Sequence, residues 1–320
     1  MKLKMMTSFL NSDLTLIEKT LEDTIQAESL LLRQASLHTL QAGGKRIRPV
    51  FVLLAAKFGN YDIERVKHVA VSLELIHMAS LVHDDVIDDA ELRRGQPTIR
   101  SKWDNRIAMY TGDYILALSL EVMTNIENPV AHRILANTIV EVCIGEIQQI
   151  RDKYRFNQTI RDYFRRIKRK TAILIAVSCE LGAVAGGADR EISRKLYRFG
   201  YYVGMSYQII DDILDFTGTE KELGKPAGGD LLQGNITAPV LYAMEDPLLR
   251  EKIMAVSEHT SQQEMNEIID SIKKSSAIDQ SMALSNRYLE KALTILETLP
   301  QNKAKKTLND IAKYIGKRKF

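Results

Sequence analysis

The sequence predicts an all-α protein, a bundle of ten or more helices, from the spacing of its apolar residues and the placement of its prolines. Apolar residues recur at intervals typical of a helix, as at Ile139, Val142 and Ile150. No segment alternates polar and apolar residues in the manner of a half-buried strand. All seven prolines lie where helices are expected to begin or end, and none lies between Pro129 and Pro226.

The predicted helices are separated by segments rich in glycine, proline or polar residues. Such loops are predicted at Gly59-Asn60, from Arg93 to Pro97, at Gly186-Gly187 and from Gly224 to Gly234. The predicted helices cover residues 12–38, 46–58, 63–87, 104–125, 130–151, 159–184, 190–216, 236–243, 247–257, 262–274, 277–297 and 302–315. No shift in composition marks a boundary, so residues 1–320 are predicted to form one domain.

The overall composition argues against a nucleic-acid partner and against secretion. The chain has 44 basic and 41 acidic residues, a formal net charge of +3, which does not indicate a nucleic-acid-binding protein. Two cysteines, Cys143 and Cys179, without a CxxC pattern favour a reducing cytoplasm over a disulfide framework. No secretory signal and no apolar run long enough to span a bilayer are visible. We therefore expect a cytoplasmic protein without stable membrane insertion.

The most informative feature is an aspartate motif that occurs twice. Its copies are Asp-Asp-Val-Ile-Asp at Asp84, Asp85 and Asp88, and Asp-Asp-Ile-Leu-Asp at Asp211, Asp212 and Asp215. Each copy ends an apolar segment of helical period, so its first and last carboxylates share one helix face. Neighbouring carboxylates repel one another and resist burial unless they bind cations, and oxygen ligands favour Mg²⁺. The two motifs are therefore predicted to face each other across one cavity and to hold a diphosphate through Mg²⁺.

Basic residues beside glycine pairs and aspartate motifs are predicted to bind the same kind of anion. Gly43 and Gly44 precede a predicted helix start at which Lys45 and Arg48 lie one turn apart, a spacing suited to clamping a phosphate group. The other candidates are Arg93, Arg94, Lys170 and Lys225. The run Arg165, Arg166, Lys168 and Arg169 is predicted to lie mostly on a solvated helix face.

Taken together, these segments resemble the trans-polyprenyl diphosphate synthases. The resemblance rests on the two DDxxD motifs, Gly-Gly-Lys-Arg-Ile-Arg-Pro from Gly43 to Pro49, Arg93-Arg94-Gly95, Lys170-Thr171 and Gly224-Lys225-Pro226, and it runs from about Gln41 to Pro239. It implies an isoprenoid-synthase-type bundle of helices around a central cavity, with the two DDxxD motifs on facing helices. It also implies a Mg²⁺-dependent condensation of isopentenyl diphosphate with an allylic diphosphate such as farnesyl diphosphate.

The resemblance implies a role for each matching residue. Several Mg²⁺ ions on the allylic diphosphate are implied to be held by Asp84, Asp85, Asp88, Asp211, Asp212 and Asp215. Contacts to the same diphosphate are implied for Arg93, Lys170 and Lys225, and contacts to isopentenyl diphosphate for Lys45, Arg48, His77 and Arg94. Thr171 and Gln208 are implied to line the reacting centre. One position departs from the family pattern, because Asn235 stands where a lysine is often found, so one cation is missing or is supplied from elsewhere.

Small residues before the first motif predict a long product. Ala79 and Ser80 lie about one turn before Asp84, and Ile76 lies a turn earlier on the same face of the predicted helix. Members of the family that make short products have bulky side chains here. Small side chains leave a tunnel for the growing chain open, so we expect a product longer than geranylgeranyl diphosphate.

Two quaternary arrangements remain open from the sequence. The first is a heterodimer with a small, non-catalytic component, in which this chain is the catalytic subunit. Its product would be heptaprenyl diphosphate for the menaquinone side chain. The alternative is a homodimeric synthase that makes hexaprenyl to octaprenyl or longer products. Exposed apolar surface on the predicted helix 104–125 would serve either dimer.

Three other classes of protein fit the sequence less well. His83-Asp84, with His68 and His77, resembles a pattern of metal-dependent phosphohydrolases, but their sites do not call for a second aspartate motif. A terpene cyclase shares the metal motif, yet it leaves the isopentenyl-binding cations without a function. A regulatory subunit would not need intact motifs.

Overall fold

The computed structural model describes residues 5–219 and 227–317, and these residues are mostly helical. In chain order the helices are α1 (Asn11–Thr24), α2 (Leu30–Gln41), α3 (Ile47–Ala56), α4 (Ile63–Ile87), α5 (Ile99–Lys102), α6 (Asn105–Met123), α7 (Pro129–Asp152), α8 (Ile160–Ile167), α9 (Ile173–Ala185), α10 (Arg190–Thr217), α11 (Gly229–Leu232), α12 (Ala238–Ala243), α13 (Pro247–Met254), α14 (Gln262–Lys274), α15 (Ala277–Glu297) and α16 (Lys303–Gly316). A π-helical segment (Lys168–Ala172) joins α8 to α9. Strands β1 (Leu92–Arg93) and β2 (Gln96–Pro97) form an antiparallel hairpin. The predicted all-α class is confirmed.

The apolar period locates several helices correctly and misses one break. The predicted bounds 63–87, 262–274 and 277–297 are those of α4, α14 and α15. The single helix predicted over 12–38 is wrong, because the chain leaves helical geometry at Ile25, where φ is −83° and ψ is 81°. A new helix begins after Ser29, whose hydroxyl accepts a hydrogen bond of 3.4 Å from the N–H of Leu32.

Short regular elements lie inside two predicted loops and one predicted helix. The loop predicted from Arg93 to Pro97 contains most of the β1–β2 hairpin, and the loop predicted from Gly224 to Gly234 contains α11. The helix predicted over 159–184 contains the π-helical segment. Hydrophobic periodicity does not reveal these elements, because each is far shorter than the window that the period needs.

Polar caps begin α4, which carries the first aspartate motif, and α8, which leads into the π-helical segment with Lys170 and Thr171. Asp62 accepts a hydrogen bond of 3.0 Å from the N–H of Glu64 at the start of α4. Helix α8 begins with a capping box, in which the side chains of Thr159 and Asp162 each accept from the backbone N–H of the other residue. Each cap satisfies a backbone donor that the helix leaves unpaired, and it contributes about 1 kcal/mol to stability.

The described chain divides into two compact units. Unit 1 comprises Met1–Ile139, Val177–Tyr197 and Leu299–Leu308, and unit 2 comprises Val140–Ala176, Arg198–Thr298 and Asn309–Phe320. That residues 1–320 form one domain stays a prediction. Within the described ranges, every helix is too short or too polar to cross a membrane.

The core of unit 1 is built around α4. Thirteen of its residues are buried, so most of its circumference faces protein. The helix packs along α6, where the hydroxyl of Ser72 donates to the carbonyl of Ser119 at 2.8 Å. Gly182 lies against the backbone of Val52 in α3, and a Cβ at Gly182 would overlap that backbone. These contacts fix the positions of α3 and α4 within unit 1. The first aspartate motif and the segment from Gly43 to Arg48 lie at the ends of these two helices.

The core of unit 2 surrounds the C-terminal part of α10. Met205, Ile209 and Ile213 of this helix form a buried cluster with Tyr163. One turn before Gln208, Gly204 lies so close to the π-helical segment that a Cβ there would come within 2.6 Å of the Cα of Ala172. A larger residue at Gly204 would push the π-helical segment away from α10.

Candidate active site

The first aspartate motif lies at the C-terminal end of α4, and its middle carboxylate is bound to an arginine. Asp85 is 6% exposed, whereas Asp84 and Asp88 are less deeply buried. The Nε and Nη2 of Arg93 each lie 2.7 Å from Oδ1 of Asp85. Burial raises the pKa of Asp85, the ion pair with Arg93 opposes this rise, and the neighbouring charges of Asp84 and Asp88 add to it.

The hairpin after α4 places both of its arginines beside the motif. Arg94 and Gly95 form the two-residue turn with φ values of 54° and 77°, and Arg93 pairs with Gln96. Two positive φ values in succession are the mark of the tight turn that suits the twist of a hairpin. The guanidinium of Arg94 lies over Gly44, where a Cβ would come within 2.7 Å of Nη1. The hairpin therefore brings Arg94 to the glycine pair that precedes α3.

These residues of unit 1 line an open cavity of about 470 Å³. Its charged lining residues are Arg46, Glu74, Asp85, Arg93 and Arg94. His77 lies in the same lining, and burial holds its pKa well below the ordinary value, with further lowering by the charges of nearby arginines including Arg48 and Arg94. A neutral imidazole among arginines offers hydrogen bonds without adding to the positive charge. This lining suits a small, highly charged anion.

The segment Gly43 to Arg48 differs in part from its prediction. Helix α3 begins only at Ile47, so Lys45 precedes the helix and does not lie one helical turn from Arg48. Lys45 is exposed and Arg48 is partly buried. Arg46 has an inward-facing side chain, which is 13% exposed and paired with Glu18 and Glu74. The sequence signal for Glu74 was available, since it is the one charged residue in the apolar run from Val69 to Met78, apart from His77.

The second aspartate motif lies near the C-terminal end of α10, and its middle carboxylate is also held by protein donors. Asp212 is 3% exposed and accepts hydrogen bonds from the hydroxyl of Tyr163 at 2.6 Å and from Nε2 of Gln208 at 2.8 Å. Burial and then the charge of Asp230 raise the pKa of Asp212 to about 8, against the opposing effect of these two hydrogen bonds and of Arg166. Asp215, which is 4% exposed, accepts a hydrogen bond of 3.1 Å from the backbone N–H of Asp230.

The π-helical segment presents Lys170 and Thr171 in unit 2. The hydroxyl of Thr171 donates to Oε1 of Gln208 at 2.5 Å, so Thr171, Gln208 and Asp212 form one chain of hydrogen bonds. The ammonium of Lys170 donates to Oε1 of Gln149 at 2.9 Å and lies 4.0 Å from a carboxylate oxygen of Glu146. Departures from α-helical geometry of this kind often occur at functional sites, because they turn side chains and carbonyls away from the regular helix face.

Arg166 corrects one sequence prediction. It belongs to the basic run expected on a solvated face, yet it is 5% exposed. Its Nη1 donates to Oε1 of Gln158 at 2.7 Å, and its Nη2 donates to the carbonyl of Ile236. Tyr163 and Arg166 were not among the predicted site residues. Nothing in the local sequence links Tyr163 to Asp212, which lies 49 residues later in the chain.

The two motifs share one arrangement. In each, the second aspartate is buried and hydrogen-bonded to a side chain of the same unit, while the first aspartate is partly exposed. The donor chemistry fits Mg²⁺, since carboxylate oxygens are its preferred protein ligands. Within the described residues, no three Asp, Glu, His or Cys side chains converge closely enough to hold a metal ion by themselves. Mg²⁺ commonly completes its coordination with waters and substrate phosphates.

The structure gives fewer contacts for the remaining predicted residues. Lys225 lies outside the described residues. Asn235 is partly buried, and its backbone N–H donates to the carbonyl of Asp230 at 2.8 Å. Of the residues predicted to control product length, Ile76 and Ala79 are 3% and 2% exposed, and the hydroxyl of Ser80 donates to the carbonyl of His77 at 2.9 Å.

Comparison with known proteins defines the class. The family model for polyprenyl synthetase matches residues 29–272. The chain belongs to this family, whose members are trans-prenyltransferases, as the sequence resemblance implied. Membership in this family decides against the phosphohydrolase alternative. His83, which suggested that alternative, has its Nε2 3.2 Å from Oδ1 of Asp113.

Particular relatives cover the whole chain. Over all 320 residues it is 66% identical to heptaprenyl diphosphate synthase component 2 of Bacillus subtilis (strain 168), of which it covers 92%, and 64% identical to the protein of the same name from Geobacillus stearothermophilus, of which it covers 100%. The crystal structure of heptaprenyl diphosphate synthase from Staphylococcus aureus is 47% identical, with a TM-score of 0.93 over 97% of this chain and 98% of that one. That of a decaprenyl diphosphate synthase from Rhodobacter capsulatus has the same TM-score of 0.93 at 30% identity, over 98% of both chains.

Proposed function

We propose that the chain condenses isopentenyl diphosphate with an allylic diphosphate, such as farnesyl diphosphate, to give a long all-trans polyprenyl diphosphate. Both aspartate motifs are proposed to bind Mg²⁺ for the same allylic diphosphate. The observation that carries this proposal is the arrangement in unit 1, where the first motif adjoins an arginine-lined cavity through the Asp85–Arg93 ion pair. A diphosphate needs such cations, and the motif supplies the carboxylates that Mg²⁺ prefers.

The reaction begins when the allylic carbon–oxygen bond breaks and negative charge develops on the departing diphosphate. Mg²⁺, when bound by the aspartates, neutralises part of that charge. Arg93, Lys170 and Lys225 are proposed to donate hydrogen bonds to the same oxygens, where fixed donors stabilise the departing group most. Arg93 is held toward the motif by Asp85, so its guanidinium is oriented before substrate binds.

Isopentenyl diphosphate is proposed to bind in the cavity of unit 1. Arg94 lines this cavity, and His77 lies in it as a neutral donor and acceptor. Arg48 adds positive charge near His77, and Lys45 is exposed on the preceding segment. Holding the diphosphate of isopentenyl diphosphate here orients its double bond for attack on the allylic cation.

Thr171 and Gln208 are proposed to stabilise the allylic cation. The hydrogen bonds from Thr171 to Gln208 and from Gln208 to Asp212 fix the orientation of the amide. Oxygen atoms with partial negative charge then face the reacting centre without having to reorganise. After the new carbon–carbon bond forms, the released proton is proposed to pass to the departed diphosphate.

The two kinds of aspartate are proposed to have different tasks. Asp85 and Asp212 are committed to protein donors and position their motifs. Asp84, Asp88 and Asp211 are proposed as the principal Mg²⁺ ligands, with Asp215 adding to the field of the second motif. This assignment narrows the expectation from the family resemblance, in which all six aspartates were candidate Mg²⁺ ligands.

The product is proposed to be heptaprenyl diphosphate, destined for the menaquinone side chain, and the chain is proposed to act with a small second component. The two Bacillus-type relatives are both named as component 2, a name that implies a partner. The alternative is a homodimeric synthase. Whichever arrangement holds, an exposed apolar surface is needed to bind the second chain.

Helix α7 carries such a surface. Val140, Ile144, Ile147 and Ile150 are 56%, 43%, 67% and 45% exposed, and their spacing of three and four residues places them on one side of the helix. On α6, Met109, Tyr110 and Leu120 are 41%, 71% and 48% exposed, which agrees with the surface predicted near 104–125. We propose that the apolar side of α7 contacts the partner chain.

Replacing Ile147 by aspartate is expected to weaken partner binding about tenfold or more, because a charge would enter an apolar contact. The thermal midpoint of the isolated chain should not change, since Ile147 is largely exposed. Affinity for the purified second component is the measurement. Leu248→Asp is the matched control, because Leu248 is 76% exposed in the same unit but lies on α13. Equal affinities of Ile147→Asp and wild type would remove α7 from the interface.

The proposed reaction is tested by incorporation of labelled isopentenyl diphosphate into acid-labile, extractable prenyl product, with farnesyl diphosphate and Mg²⁺ present. The second component is added in one set of reactions. Incorporation that disappears with EDTA and returns with excess Mg²⁺ is expected. Absence of incorporation in every condition would contradict the assignment.

A further inference from the structure

Arg46 stands between two proposed diphosphate ligands, Lys45 and Arg48, yet its guanidinium is bound within unit 1. Its Nη1 donates to Oε1 of Glu74 at 3.0 Å, and its Nη2 donates to Oε2 of Glu18 at 3.1 Å and to the carbonyl of Leu40 at 3.2 Å. Its Nε donates to Glu18 as well. Four of the five N–H groups of the guanidinium are thus engaged. Arg46 is therefore not available as a phosphate ligand in this arrangement.

The same residue sets the path of the backbone into α3. Arg46 has φ 46° and ψ 40°, in the left-handed region that residues other than glycine rarely adopt. Its carbonyl accepts the N–H of Val50 at 3.2 Å, one of the first hydrogen bonds of the helix. A strained conformation of this kind persists only where surrounding contacts hold it. The contacts with Glu18, Glu74 and Leu40 tie the strained residue to α1, α4 and the end of α2.

The Arg46–Glu74 pair also adjusts the charge of the cavity. Three arginines and two carboxylates line it, so its formal charge is +1 with the histidines neutral. Glu74 is buried, with a side chain 4% exposed, and it lies one turn before His77 on α4. Without Arg46, a buried carboxylate at this place would repel a diphosphate. Asp85 is paired with Arg93 in the corresponding way.

We propose that Arg46 is a positioning residue for isopentenyl diphosphate, an inference that rests on the proposed function. Through Glu18 and Glu74, Arg46 holds the turn from which Lys45 and Arg48 extend. Through Glu74 alone, it also cancels a negative charge in the wall of the cavity. Arg46 is proposed not to touch substrate itself. Its loss would weaken the binding of isopentenyl diphosphate by displacing Lys45 and Arg48.

The test compares steady-state kinetics for the two substrates, with the second component present. Arg46→Gln is expected to raise KM for isopentenyl diphosphate about tenfold or more, the effect of losing a charge-assisted network beside an anion. KM for farnesyl diphosphate should stay within about twofold of wild type, because the other diphosphate has separate ligands. Arg46→Gln combined with Glu74→Gln should recover part of the loss, since the double variant leaves no unpaired buried carboxylate.

Glu18→Gln keeps the test decisive if Arg46→Gln does not fold. Glu18 has a side chain 39% exposed, so its replacement disturbs the core less, and it should raise KM for isopentenyl diphosphate in the same direction by a smaller factor. Arg65→Gln, an exposed arginine on α4, is the matched control and should leave both KM values unchanged. Equal changes in the two KM values, or a lower thermal midpoint with unchanged KM values, would show a purely structural role. A wild-type enzyme without turnover would instead refute the proposed function.

Discussion

Replacing Asp84 by alanine is expected to lower turnover about 10²- to 10³-fold, the loss typical of removing one preorganised electrostatic group from a reacting centre. Asp84 lies one turn before Asp88, the residue at the C-terminal cap of α4, while the intervening Asp85 is paired with Arg93. We propose that Asp84 and Asp88, whose spacing of four residues places them on one side of the helix end, are the metal ligands of this motif. Since Asp84 is only partly buried, its replacement should leave the fold intact.

The decisive readout is turnover measured over a wide range of Mg²⁺ concentration, alongside the thermal midpoint. Asp84→Ala should need more Mg²⁺ for half-maximal activity than wild type and should not reach the wild-type rate. Asp23→Ala, which changes an exposed aspartate of α1, is the control and should behave as wild type. Near wild-type turnover of Asp84→Ala would refute the metal role of the first motif.

The substitution Ala79→Tyr is expected to shorten the product from heptaprenyl to geranylgeranyl diphosphate or less. Ala79 is 2% exposed and lies five residues before Asp84 on α4. If the growing chain passes this position, a phenol ring there blocks its path after a few condensations. Two crystal structures whose names specify different products superimpose on this chain with the same TM-score of 0.93, so the fold itself does not set product length.

Chain lengths are resolved by chromatography of the dephosphorylated products. Ala79→Ser, which adds a hydroxyl and little volume, is the control and should retain the long product. Forcing a larger side chain into a filled core costs about 1 to 3 kcal/mol of stability. A lower thermal midpoint would therefore show that the tyrosine displaces packed side chains, and an unchanged midpoint would show that it occupies an open tunnel. An unchanged product length for Ala79→Tyr would contradict the assignment of a product tunnel beside Ala79.

Long helices were predictable because many residues share one signal. The bounds of α4, α14 and α15 follow from an apolar period repeated over several turns. The break before Ser29 was missed because the apolar period continues across it. Only the local cap, in which the hydroxyl of Ser29 accepts from the N–H of Leu32, marks the start of the new helix. The β1–β2 hairpin was missed because its turn depends on positive φ at Arg94, a residue that does not favour that conformation.

The position of the aspartates on their helices was predictable from the sequence, whereas the partner of Asp212 was not. Spacing within a few residues predicts which carboxylates share a helix face, and Arg93 is close enough in sequence to be suspected. The hydrogen bond from Tyr163 to Asp212 depends on tertiary packing that no local pattern contains. The basic run shows the same dependence on tertiary packing. Successive helix positions are rotated by about 100°, so Arg165 faces solvent while Arg166 is buried, and the local sequence does not tell which of the two faces the core.

The most direct test is a product analysis of the purified chain with Mg²⁺, farnesyl diphosphate and labelled isopentenyl diphosphate, alone and with the second component. Heptaprenyl diphosphate that forms only when the second component is present is the expected result. A long product from the chain alone would establish the homodimeric alternative. No prenyl product under either condition would contradict the assignment as a polyprenyl diphosphate synthase.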